Sequence, residues 1–173
     1  MSRLDSFIRR LEAQRACLER AAALIGSVPG PILELGLGNG RTFDHLREIL
    51  PDRDVFVFER EIAAHPDCVP APDRLILGDL RETLPAARAR FSGSAALAHL
   101  DVATGEAAAS RMLAAALAPL IAPLMRHGAV VVSEPPLAVP GWEALDLPEG
   151  VRPGRYHLYR VTAAPAEPRQ EVE

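Results

Sequence analysis

Five short apolar runs, most followed by room for a helix, constrain what this 173-residue chain can fold into. They fall at residues 31–35, at 54–60 (DVFVFER), at 73–79 (DRLILGD), at 95–101 (AALAHLD) and at 128–134 (GAVVVSE). Between them lie helical patterns at 41–50, closed by Pro51, and over the Ala-rich stretch 105–118, with a short helix expected in Leu80–Arg90. A proline inside a helix costs about 3 kcal/mol, so Pro119 and Pro123 are expected where that helix ends or restarts. The unbroken apolar character of 129–132 fits a strand covered on both faces, as in a parallel sheet. Strand and helix alternating at this rhythm predict an α/β fold: a doubly wound, mostly parallel sheet with helices on both faces.

The two ends depart from the alternation. Residues 3–25 read as an amphipathic helix, with Leu4, Phe7, Ile8, Leu11, Leu18, Ala22 and Ile25 at helical spacing. Arginines and glutamates interleave around that stripe, which reads as a solvated face, the sharper alternative being a lid or substrate-facing helix. After EPPLAVPG come WEALDL and RYHLYRVT, two strands that fit an antiparallel edge hairpin over 142–163, with no crossover helix before it. Pro-rich, charged residues 164–173 are expected to be a disordered tail. The expected organisation is one domain over 1–163, with its core in 30–134.

Composition removes several classes. A formal net charge of −4 argues against nucleic acid as the main partner. Cys17 and Cys68 lack metal-ligand spacing and make no disulfide framework, and His45, His65, His127 and His157 are scattered, so no metal is expected. There is no signal-peptide pattern and no apolar run reaches about 18 residues, which predicts a cytoplasmic protein of small bacterial type with no membrane partner. A homo-oligomer stays open.

The chemistry starts at GPILELGLGNGRTFDHL, residues 30–46. Gly36, Gly38 and Gly40 are spaced G-x-G-x-G between the first strand and the next helix. A dinucleotide fingerprint needs its third glycine one position later, where this chain has Arg41. Glu34 would repel a pyrophosphate, whereas it suits a ligand carrying an ammonium and a sulfonium. With these residues in place, ELGLGNG resembles the first motif of the class I, Rossmann-like S-adenosylmethionine-dependent methyltransferases, acidic-x-G-x-G-x-G. The resemblance covers roughly residues 30–134.

That resemblance implies a set of cofactor contacts. Glu34 would help hold the methionine amino end, and Leu35, Gly36, Gly38, Asn39, Gly40, Arg41 and Thr42 would line the donor. Glu59, beside Arg60, would accept the ribose hydroxyls, with Glu61 as a near rival. Asp79, between Gly78 and Leu80, would accept from the adenine amino group. S-adenosylmethionine would be the donor and S-adenosylhomocysteine the product.

For the transfer itself the fourth strand is the place to look. His99 and Asp101 lie two apart and so share a side of the sheet. They read as an acid/base pair, or as contacts to cofactor (Asp101) and acceptor. The plainer reading is a polar strand end, with Asp101 or Thr104 capping the next helix. SEPPL follows the fifth strand and has Leu137 where an amine-methylating motif has an aromatic, so it reads as a loop near the acceptor pocket. Tyr156 and Tyr159 read as hairpin packing. Residues 3–25 and 135–141 are the available pocket walls, which suits a small-molecule acceptor. The expected function is methyl transfer to such an acceptor. The alternatives are a non-catalytic S-adenosylmethionine-binding module or sensor and, less favoured, a nicotinamide-dependent oxidoreductase.

Overall fold

The structure, a computed structural model, describes residues 2–102 and 106–162. Seven strands form one sheet: β1 (Ile32–Leu35), β2 (Val55–Glu59), β3 (Leu75–Leu77), β4 (Ala95–Leu100), β5 (Met125–Ser133), β6 (Trp142–Ala144) and β7 (His157–Val161). The spatial order is β3-β2-β1-β4-β5-β7-β6. The first five of these are parallel, and β7 runs antiparallel to both β5 and β6. The expected edge hairpin is therefore present. Its β7 slots in next to β5, leaving the short β6 as the sheet edge.

Among the described residues, four α-helices cover the faces: α1 (Arg3–Leu24), α2 (Arg41–Ile49), α3 (Leu80–Phe91) and α4 (Ala107–Ile121). Alternation along each strand divides the core in two. Leu33, Leu35, Phe56 and Phe58 pack towards α3 and α4, with Leu84, Phe91, Leu117 and Ile121. Ile32, Val55, Val57, Leu97, Val130 and Val132 pack the other way, with Cys17, Leu18 and Ala21 of α1 and Phe43 and Leu46 of α2. Strand order reverses between β1 and β4, and the crevice at that switch point is where open α/β sheets bind ligands.

Three expectations need adjusting. α4 runs through Pro119 to Ile121 before a 3-10 turn over Ala122–Leu124 that contains Pro123. The carbonyl that Pro119 cannot satisfy belongs to Ala115, which is exposed, so water can serve it. Residues Ala107–Leu124 are, by length and a mean hydropathy of 1.5, apolar enough to cross a membrane, contrary to the reading of the sequence. Here the inner stripe Ala114, Leu117, Ala118 and Ile121 is buried in the core. In α1 the buried face is Ala13, Gln14, Cys17, Leu18 and Ala21, while Leu4, Phe7 and Ile8 are exposed. Arg10 of α1 already reaches the ends of β4 and β5, so the turns before it lie past the sheet. No helix separates β5 from β6, as expected. Thr104 and the 164–173 tail lie outside the described residues.

Candidate active site

β1 turns into α2 through the glycine loop, and the loop is shaped by what crowds it. Gly36 has φ +102°, and a Cβ there would come within 2.7 Å of the Asp101 carbonyl oxygen. Any side chain would push the ends of β1 and β4 apart. Gly40 is packed from the other side: a Cβ would come within 2.4 Å of Cys68 Cβ. Its role in this structure is close packing of the 64–68 segment against the turn.

A cleft of about 470 Å³ opens at the ends of β1–β4 and is lined by Gly36, Gly38, Phe58, Glu59, Arg60, Gly78, Asp79, Leu80, Asp101, Val102 and Leu113. Eight of the residues singled out in the sequence meet here. Asn39 and Arg41 are exposed but do not line the cleft, and Leu35 is fully buried in the core.

Glu59 ties the two sides of the loop together. One carboxylate oxygen accepts from the Leu37 and Gly38 amides at 2.7 and 3.0 Å, and the other from the Arg60 and Glu61 amides at 2.7 and 3.3 Å. Burial alone would raise its pKa, but the bonds from Gly38, Leu37, Arg60 and Glu61 outweigh burial and hold it below the usual carboxylate range. Asp79 has a double position. Its Oδ1 caps α3 by accepting from the Arg81 amide at 2.8 Å, while its side of the turn faces the cleft.

Glu34 is not in the cleft. Parallel register sets Glu34 beside His99, and both face the α1/α2 side of the sheet. Both are fully buried, with His99 Nδ1 2.8 Å from Glu34 Oε2 and the Thr42 hydroxyl donating to Glu34 Oε1. The reason is position: β1 lies inside the sheet with both faces covered, so every one of its side chains is buried. Glu34 therefore joins β1, β4 and the start of α2. Burial lowers the pKa of His99, but the charge and hydrogen bond of Glu34 reverse this, with smaller help from Asp101 and Glu134, and the net displacement is upward.

Asp101 sits just past β4. Gln14 of α1 donates to its Oδ2 at 2.9 Å, and Arg10 approaches its Oδ1 at 3.8 Å while lying 3.4 Å from Glu134. Asp101 does not cap α4, whose N-cap is Glu106. Beneath it, the His99 and Tyr156 rings stack at 6.3 Å, and His99 Nε2 and the Tyr156 hydroxyl are buried with no partner among the described residues. Tyr159 does pack the hairpin, its hydroxyl accepting from the Leu137 amide at 2.8 Å. Arg10, Gln14 and Glu134, together with the apolar walls Phe58, Val102 and Leu113, were not singled out in the sequence as site residues. Gln14 carried a signal: it is a polar residue at a core position of α1, between Ala13 and Cys17.

The strand order and the glycine turn over an acid-lined cleft define a Rossmann-like methyltransferase fold. A family model described as S-adenosyl-L-methionine methyltransferase matches residues 1–161, and the chain belongs to that family. A solved S-adenosyl-L-methionine methyl transferase from Silicibacter pomeroyi is 46% identical, with a TM-score of 0.90 over 93% of this chain and 99% of that one. More distant likenesses are of fold alone. The S-adenosylhomocysteine-bound Podospora anserina methyltransferase PaMTH1 has TM-score 0.56 at 14% identity, over 87% and 78% of the two chains. Human methyltransferase-like protein 13, in complex with S-adenosylhomocysteine, has 0.52 at 11%, over 95% and 84%. Comparison with curated proteins finds no match.

Proposed function

We propose that this methyltransferase holds S-adenosylmethionine in the cleft at the ends of β1–β4 and methylates a small acceptor at the ends of β4 and β5. The observation that carries the reading is the cleft itself, which gathers Glu59, Asp79 and Asp101 from three strand ends around one glycine turn. The residues fit such a donor. Gly38, with φ +52°, has no atom of the described residues within 4 Å of where a Cβ would stand, so the turn leaves room on the cleft side. Phe58, Leu80 and Leu113 offer apolar wall, and Glu59 and Asp79 offer acceptors at two separate points. Glu34 then contributes through the loop it anchors and not through a ligand contact of its own.

When bound, the donor supplies a methyl group on a sulfonium, already activated for displacement. The protein's task is alignment and exclusion of water, and orientation alone can supply roughly 7–11 kcal/mol. The leaving group itself needs no Lewis acid. Asp101 lines the cleft and is held by Gln14, so it is placed to orient the acceptor or take its proton. Cys17 and Cys68 are free thiols, which suits a reducing cytoplasm.

Binding is the direct test. S-adenosylhomocysteine at 100 times its dissociation constant should stabilise the protein by about 2.7 kcal/mol, seen as a raised melting temperature. NAD should leave it unchanged. A shift with NAD and none with S-adenosylhomocysteine would overturn the reading.

A further inference from the structure

Beside the cofactor cleft lies a second cavity of about 420 Å³, within the size range of small-molecule sites. It is walled by α1, the first turns of α4, the segment after β5 and the segment before β7. Three guanidinium groups line it: Arg10, Arg111 and Arg155. Against them stand two carboxylates, Glu106 and Glu134.

The three arginines are not equivalent. Arg10 is committed, lying between Glu134 at 3.4 Å and Asp101 at 3.8 Å. Arg111 and Arg155 take part in none of the ion pairs among the described residues. Among the described residues, the Arg155 guanidinium donates to the Ser6 hydroxyl at 3.4 Å. Glu134, one of the two acids in the wall, is already balanced by Arg10. A guanidinium fork matches a carboxylate or a phosphate with two parallel hydrogen bonds.

We infer that this cavity binds an anionic group of the methyl acceptor, a carboxylate or a phosphate, on Arg111 and Arg155. Arg10 fixes the geometry, since it lines the cavity and also touches Asp101, which lines the cofactor cleft. An acceptor anchored on Arg111 and Arg155 would extend past Arg10 towards Asp101. The placement of the acceptor rests on the function proposed above. A cavity of about 460 Å³ on the other side of α1 also carries arginines, Arg9, Arg15 and Arg152, and shares Arg155. None of the first three reaches Asp101, and Arg15 is paired with Glu19 at 3.9 Å. That cavity supplies the control.

Inorganic phosphate and acetate are titrated separately at constant ionic strength, with and without saturating S-adenosylhomocysteine, following arginine side-chain resonances by NMR. One anion should bind saturably, and the double variant Arg111→Ala/Arg155→Ala should weaken it by at least about tenfold, equivalent to 1.4 kcal/mol. Arg9→Ala/Arg15→Ala should leave it within about twofold, a shift of roughly 0.4 kcal/mol. S-adenosylhomocysteine should bind the Arg111/Arg155 variant like wild type. Saturation by phosphate alone assigns a phosphorylated acceptor, and by acetate alone a carboxylate. No saturable binding of either anion, or equal affinity in wild type and the Arg111/Arg155 variant, overturns the inference. Failure of S-adenosylhomocysteine to bind would instead count against the proposed function, and the titration without it still reads the arginines on their own.

Discussion

The two halves of the site are built from different material. On the β1–β3 side the structure is backbone, a glycine turn whose amides meet one carboxylate, Glu59, only 22 residues on in the chain. On the β4–β5 side it is side chains from remote segments: Gln14 meets Asp101 across 87 residues and Arg10 meets Glu134 across 124. A half made of local backbone can hold an invariant group such as a cofactor. A half made of side chains on α1, α4 and the hairpin can be varied residue by residue, which is what an acceptor pocket requires. Between the halves runs the buried seam of Glu34 and His99, one from each side.

The sharpest way to break this division is Asp101→Asn. The neutral side chain keeps the size of the original and can still meet Gln14. If the β4–β5 side serves the acceptor, turnover with an identified acceptor should fall by about 10²–10⁴-fold, the usual worth of a positioned base. Affinity for S-adenosylhomocysteine, measured by calorimetry, should stay near wild type. Unaltered methyl transfer would take Asp101 out of the reaction and leave alignment by the walls alone.

The complementary change is Glu59→Ala, which should do the reverse. It removes the acceptor of four backbone amides and one candidate ribose contact. A hydrogen bond to a charged group is worth about 1.5–3 kcal/mol, so S-adenosylhomocysteine should bind roughly tenfold to a hundredfold more weakly. Glu61→Ala should be nearly silent, since only the Glu61 backbone amide touches Glu59. A damaging Glu61→Ala with a harmless Glu59→Ala would move the ribose site two residues along.

The same division explains what could be read from the sequence. The alternation of strand and helix, the covered faces and the terminal hairpin follow from periodicity and turn residues, which are local signals. The lining of the cleft at the ends of β1–β4 was legible for the same reason, since Gly36, Glu59 and Asp79 each close a strand within a recognisable motif. Glu34 shows the limit. Its place in the motif suggested a ligand contact, but its burial follows from the β1–β4 register and from α2 folding back over it, and neither is written near residue 34. Arg10 read as part of a solvated face, and Arg111 and Arg155 drew no reading at all, because nothing local says that separate segments bring them to one cavity. The exposed Leu4, Phe7 and Ile8 misled in the opposite direction, since helical periodicity records a stripe and not what covers it.

The smallest effect, and the one that probes the seam itself, is the pH dependence of stability. His99 has its pKa raised in the folded protein because Glu34 outweighs the cost of burial. A raised value means that the folded state holds its proton more tightly than the unfolded chain. The stabilisation is then complete below the unfolded value, about 6.5, and is lost as pH climbs through the folded value. His157 works against this, for its partial burial lowers its pKa and favours folding as pH rises. The comparison must therefore be between variants, and it should stop short of the ordinary thiol range, where burial pushes Cys17 up to about 12 and adds its own alkaline loss. Between about pH 6 and 8, His99→Gln should remove a falling component from the urea-unfolding free energy. Glu34→Gln should do more than remove it. Without that carboxylate, burial, the largest influence on His99, is opposed only by the smaller pull of Asp101 and Glu134, so its folded pKa drops and its contribution turns towards rising with pH. Each unit of displacement is worth about 1.4 kcal/mol, so the change of slope is measurable. Identical slopes in wild type and Glu34→Gln would mean that the imidazole is neutral in both. The two halves of the site would then be joined by a hydrogen bond and not by an ion pair.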